Sequence, residues 1–263
     1  MFRGRLAIAI ALTAAPTGLP AQSIAARVAA APDAEVQFSF AARPGVCGDG
    51  RSVIRNGKHG MWISKHSYST YDDDRDPCPC DAGPVRVTLT VRNHRVTEVE
   101  TQVGGKGGLG RDDLDLGLVS TASAVRYLID LAESNREAGA NAIFPAVLAD
   151  TVVVWPDLLR LARKTGLPRD TRNQAIFWLG QAAGEAATRG LDSLATDAKG
   201  DRDIRKQAVF ALSQRPQSEG VPILISLART DRDPEIRRDA LFWLGQSNDP
   251  RALDLFEELL VRR

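Results

Sequence analysis

The seven residues AIFWLGQ at Ala175–Gln181 return as AVFALSQ at Ala208–Gln214 and as ALFWLGQ at Ala240–Gln246. A fainter copy, NAIFPAV, stands at Asn141–Val147. The aligned alanines Ala142, Ala175, Ala208 and Ala240 are 33, 33 and 32 residues apart. A fixed period of this size marks a stacked helical array, in which each unit buries its apolar face only against its neighbours. Such an array presents one long surface and usually no catalytic pocket.

Working outward, each copy is the second helix of a pair. The first helices carry Leu128, Leu131 and Ala132, then Leu158, Leu161 and Ala162, then Leu191, Leu194 and Ala195, then Leu224, Leu227 and Ala228. The spacing i, i+3, i+4 is one face of an α-helix. A final helix, Ala252–Val261, lacks a partner and is expected to cap the open end of the core. The leucines 161, 194 and 227 are expected to meet the alanines 175, 208 and 240 at the seam between helices.

DPEIRRDALFWLG at Asp233–Gly245 resembles the second helix of a HEAT repeat of the short bacterial kind. The family pattern is Asp before the helix, a hydrophobe-Arg pair, an Ala-rich face and a Leu-Gly end. Asp203-Ile204-Arg205 with Ala208 and Leu212 follows it, and so does Asp170-Thr171-Arg172 with Ala175, Leu179 and Gly180. The copy at Asn141 lacks the Asp-x-Arg start and carries Pro145, so the first repeat is degenerate. The resemblance implies a mainly α fold, a HEAT-like, armadillo-like α-solenoid over 118–263, and a protein partner. The recurring Asp and Arg at Asp170/Arg172, Asp203/Arg205 and Asp233/Arg237 imply pairing between repeats and not a single active site.

A small β domain is expected at 35–103. Val36, Phe38 and Phe40 alternate with polar residues, as do Val85, Val87, Leu89 and Val91. Asn93-His94 reads as a turn into a strand to Val103, with Val99 and Val103 on one face. Met61–Ser64 reads as a further strand, and Tyr68–Gly83 as a loop. The segment 22–34 is expected to be a flexible lead-in and 104–117 a Gly-rich linker. The linker contains G-x-G-x-x-G at Gly105, Gly107 and Gly110, but no βαβ unit surrounds it to hold a pyrophosphate.

Residues 1–21 read as a signal peptide. Arg3 and Arg5 precede a ten-residue apolar run at Leu6–Ala15, too short to span a bilayer, and Ala21 offers a small residue for cleavage. The expected protein is exported, periplasmic or extracellular, with no later membrane segment. A net charge of +1 gives nucleic-acid binding no electrostatic support.

Chemistry-bearing residues are few. Cys47, Cys78 and Cys80 read as a disulfide from Cys47 to one of the other two, with one thiol left over. The alternative is a periplasmic metal-binding or thiol redox-sensing protein, with these thiols and His59 or His66 as a soft-metal site and the solenoid as adaptor. Asp72, Asp74 and Asp76 open like a calcium loop, yet Pro77 and Gly83 stand where Gly and Glu are needed. No G-x-S-x-G, H-E-x-x-H or P-loop occurs, so neither catalysis nor a cofactor is expected.

One feature of the repeats points to binding. At 100° per residue, Ala175, Leu179 and Arg172 face the core, whereas Phe177 falls about 200° from Ala175 with Gln181 beside it. The columns read Phe144, Phe177, Phe210, Phe242 and Gln181, Gln214, Gln246. Large apolar residues at a position expected to be outward predict a partner-binding stripe of Phe177, Phe210 and Phe242 flanked by the glutamines. The competing reading packs the phenylalanines between repeats or under the β domain.

Overall fold

In the computed structural model the described residues are 23–50, 54–56, 61–64, 67–70, 81–105, 110, 113–182 and 184–261. A short helix α1 (Ile24–Ala29) leads into β1 (Glu35–Phe40). Four short strands follow, β2 (Val46–Gly48), β3 (Ile54–Asn56), β4 (Met61–Ser64) and β5 (Ser67–Thr70). Then come β6 (Val85–Arg92), β7 (Arg95–Val103) and β8 (Leu114–Leu118). The rest is helical: α2 (Thr121–Ser134), α3 (Gly139–Val147), α4 (Trp155–Arg163), α5 (Arg169–Gln181), α6 (Glu185–Ala195), α7 (Arg202–Ser213), α8 (Gln217–Thr230), α9 (Pro234–Gly245) and α10 (Pro250–Val261). The fold is therefore a HEAT-like helical array preceded by a small β region.

The strands make two four-stranded sheets, β7-β6-β1-β8 and β2-β3-β4-β5. In the first, Val36, Phe38, Phe40, Val85, Val87, Leu89, Val91 and Val103 are fully buried, as the alternation requires. The β6–β7 hairpin turns on Asn93 (φ 50°) and His94 (φ 58°), two positive-φ residues whose twist suits a two-residue hairpin.

Two expectations about connecting segments are corrected. Ser23–Asp33 is not a free lead-in: Ser23 caps α1, and Ile24, Val28 and Ala31 are buried in the common core. The 104–117 segment is not only a linker, because Leu114–Leu118 is a strand paired parallel to β1. Leu116 faces inward there and is buried, a period-2 signal too short to read beside a glycine run. Gly104 and Gly105 hold positive φ because their backbones press on Asp81 and Gly50. A methyl at Gly104 would stand 2.3 Å from the Asp81 carbonyl oxygen. Of the loop expected at Tyr68–Gly83, residues Tyr68–Thr70 lie instead in β5, and 71–80 fall outside the described residues.

The helices pair as α2/α3, α4/α5, α6/α7 and α8/α9, with α10 last. Leu161, Leu194, Leu227, Ala175, Ala208 and Ala240 are all buried. The first sheet does not hang from this array. Phe38 meets Tyr127 of α2 edge-on at 6.0 Å between ring centres, and the Asn135 amide donates to the Val96 carbonyl at 2.7 Å. One continuous apolar core runs from the sheet through the repeats.

Candidate functional site

The second helices form the inner face of the array. Neighbours α3, α5, α7 and α9 share broader contacts with one another than α4, α6 and α8 do, so the stack curves toward the second helices. Their buried sides are set by recurring arginines. Arg172 is buried, donates through Nε to the Ala162 carbonyl at 2.9 Å and reaches Asp201 at 3.4 Å. Arg205 repeats this, with the Ala195 carbonyl at 2.8 Å and Asp231 at 2.5 Å. Each arginine so satisfies the C-terminal carbonyls of the preceding first helix and ties its repeat to the next. A second rung pairs Arg169 with Asp203 at 2.6 Å and Arg202 with Asp233 at 2.7 Å. Arg237 departs from the pattern and donates to the carbonyls of Asp231 and Arg232.

The phenylalanine column is only partly outward. Phe177 and Phe210 are half-buried, and Phe242 is 57% exposed. The reason lies one residue on, where sequence reading placed no weight. Trp178 packs against Phe144 at 5.0 Å, nearly parallel, and against Phe177 edge-on at 5.0 Å. Trp243 meets Phe210 and Phe242, each at 5.0 Å. Each Trp is wedged between consecutive second helices, so a phenylalanine shows one edge and spends the other on an indole. In α7 the same position is Ala211, and a methyl on Gly180 would stand 3.1 Å from its Cβ. The repeated WLG was the available signal. Gln181, Gln214 and Gln246 are all exposed beside the column.

Arg215 is a further residue missed in the sequence. It follows Gln214 in the loop before α8 and is buried. Its guanidinium donates to the Thr188 hydroxyl at 2.8 Å, to the carbonyls of Gly180 (3.1 Å), Gly184 (3.2 Å) and Ala182, and to Glu219 at 2.9 Å. Hydrogen bonds from Thr188 and Arg215 hold the Glu219 carboxyl below its usual range. This one side chain closes the α5–α6 turn onto the next repeat.

Cys47 lies on β2, half-buried and disulfide-bonded. Cys78, Cys80, His59 and His66 lie outside the described residues, as do Asp72, Asp74 and Asp76 and the expected signal peptide. Among the described residues no cluster of three or more His, Cys, Asp or Glu has the geometry of a metal site. No described helix is long and apolar enough to cross a membrane.

Beside Gln181 the surface opens into a cleft of about 380 Å³. It forms where the chain between α3 and α4 crosses the end of the sheet. Ala149 bridges to Ala42, Arg43 N–H donates to the Leu148 carbonyl at 2.9 Å, and Asp150 N–H donates to the Ala41 carbonyl at 3.0 Å. Thr151 then turns with φ 58°, a strained conformation for a β-branched residue. The walls are Val152, Val154, Trp155, Leu158 and Trp178, with Arg43 and Gln181 as polar groups. Burial lowers the pKa of the Arg43 guanidinium. The Trp178 indole Nε1–H is buried and has no acceptor in reach.

A family model described as HEAT repeats matches residues 191–263, which span α6 to α10. No curated protein matches the chain. The match agrees with the resemblance read at Asp233–Gly245 and at Asp203–Leu212. The copies at Asn141 and Ala175 lie before it, and their place in the array rests on the stacking of α3 on α5 and of α5 on α7.

Proposed function

We propose that this chain is an exported protein-interaction module, non-enzymatic, that holds an extended polypeptide on the face formed by α3, α5, α7 and α9. HEAT repeats commonly mediate protein–protein contact and are typically not enzymes, which supports the coarse reading. The observation that carries the finer one is the inner-face column itself. The exposed ring of Phe242 and the half-exposed rings of Phe177 and Phe210 run beside exposed Gln181, Gln214 and Gln246. Aromatic edges in a concave face supply binding energy, and amide side chains that both donate and accept suit a peptide backbone. The disulfide at Cys47 suits an oxidising compartment and supports export.

The test is affinity capture from the native envelope, identification of the partner by mass spectrometry, and rebinding of that purified partner to Phe242→Ser. Phe242 is the column residue with least to lose in the fold, so its variant should melt within about 1 kcal/mol of the parent. Loss of rebinding at an unchanged melt supports the assignment. Full rebinding by Phe242→Ser together with a Gln214→Ala, Gln246→Ala double variant moves the partner off this face.

A further inference from the structure

Among the described residues the array ends on α10, a first helix with no second helix laid on it. In the repeats before it, α6 lies against α7 and α8 against α9. The period sets the register: matching positions in α6, α8 and α10 are 33 and then 32 residues apart. Thr188 and Val221 are buried, and their counterpart Leu253 is exposed. Leu194 and Leu227 are buried, and Leu259 is exposed. Ala195 and Ala228 are buried, and Leu260 is exposed. Leu253 and Leu260 stand seven residues apart, about two turns, and so share one side of α10. The last second helix is open in the same way. A methyl on Gly180 of α5 would press on Ala211 of α7, whereas one on its counterpart Gly245 would meet only Phe256, at 3.9 Å.

Charge says what belongs there. Second helices reach forward with cations, Arg172 to Asp201, Arg205 to Asp231, and Lys206 to Glu235 and Asp239. These carboxylates stand just before the next second helix or in its first two turns. The counterparts of Arg205 and Lys206 on α9 are Arg237 and Arg238. Arg237 donates only to two carbonyls of its own loop, and Arg238, mostly exposed, pairs only with Asp239 of its own helix at 3.7 Å. We propose that the open side of α9 and α10 receives an amphipathic helix of a partner protein, built like the second helices of this array. Its first turns bring carboxylates to Arg237 and Arg238, which its own N-terminal dipole also favours, and its alanine–leucine face lies on Leu253, Leu259 and Leu260. A second copy of this chain fits less well. Two α10 helices meeting through Leu253 and Leu260 would, in either direction, bring their Glu257 side chains together, and would make no use of Arg237 and Arg238. This surface is the end of the array and stands apart from the glutamine column of the inner face.

The test mixes the full chain with a labelled peptide that has the sequence of Asp231–Gln246, blocked at both ends. A second peptide carries Asp231→Asn, Asp233→Asn and Glu235→Gln. The parent should bind the first peptide, read by anisotropy, with a rise in helical circular dichroism. It should bind the second roughly three- to tenfold more weakly, by a margin that shrinks as salt is added. Leu253→Ser with Leu260→Ser in the chain should weaken the first peptide about tenfold or more. Arg238→Glu, a change at an exposed side chain, should weaken the first peptide more than the second. No binding by the parent overturns the assignment. So does equal binding of the two peptides, which needs no variant to fold, and so does binding that the double serine variant leaves unchanged. A parent that sediments as a dimer, and as a monomer once both leucines are serine, overturns it in favour of a second copy.

Discussion

The two ends of the helical array are closed by different means. At the N-terminal end a β-sheet lies across the first helix pair, with Phe38 on Tyr127 and a shared core in which Phe38, Phe40, Leu89 and Leu128 are fully buried. At the other end α10 covers α8 and α9 with Ala252, Leu255 and Phe256, and an Arg229–Glu258 pair pins it. Its other side keeps Leu253, Leu260 and Val261 at 64%, 72% and 85% exposure. A repeat array needs a polar outer face on its terminal unit. The sheet supplies one, whereas the outer side of α10 mixes exposed Arg251, Asp254 and Glu257 with exposed leucines. The expected capping helix is thus half a cap. One end is fused to a second kind of structure, and the other is finished only on its inner side.

The fused end yields the largest expected effect. Phe38→Ala removes a fully buried ring from the joint core and should cost about 3–5 kcal/mol. Because core runs from sheet to repeats, the helical signal and the tryptophan fluorescence should melt together in one earlier transition. If helical melting stays where it was while the sheet unfolds alone, the sheet is a tethered domain and the comparison of ends fails.

Arg215 tests the middle, away from both ends. Arg215→Ala leaves the carbonyls of Gly180, Ala182 and Gly184 without their donor and should cost about 3 kcal/mol. It also has a pH signature. Glu219 is held below its usual range by the Thr188 hydroxyl first and by Arg215 second. A depressed carboxyl adds stability above its unfolded value, near about 4.3, and loses it as pH falls through the folded value. Acidifying from neutral to below that window should therefore lower the melting temperature of the parent more than that of Arg215→Ala. An equal acid response in both would mean that Glu219 is not coupled to this arginine.

What the sequence disclosed follows from what repeats. A 33-residue period exposes Ala175, Ala208 and Ala240 as one column, and the Asp and Arg beside them as inter-repeat ties. The structure makes those ties with other partners: Arg172 and Arg205 take Asp201 and Asp231, two residues before the recurring aspartates, while Asp203 and Asp233 pair with Arg169 and Arg202. The sheet's strands were legible because Val85 to Val91 alternate. Contacts made once, between segments far apart, carry no such signature. The parallel pairing of Leu114–Leu118 with β1, the burial of Ile24 and Val28, the bridge from Ala42 to Ala149 and the five-donor grip of Arg215 are all of that kind. The phenylalanine column fell between the two. Its period was visible, but whether the rings face a partner or a neighbour was decided by Trp178 and Trp243 beside them.

The smallest effect is expected at the open end, and there smallness is the informative result. Leu253→Ser with Leu260→Ser changes two side chains that touch mostly water, so the melting temperature should shift by no more than about 0.5 kcal/mol's worth. Leu255→Ala, on the same helix but facing inward at 1% exposure, should cost roughly 2–5 kcal/mol. The contrast between residues two apart would establish that α10 packs on one side only. A double serine variant that melts far below the parent would show instead that the outer leucines are covered in solution. A melting temperature of the parent that rises with its own concentration would then identify a second copy as the cover. In that case both ends of the array are sealed, one by a sheet and one by association, and the asymmetry between them disappears.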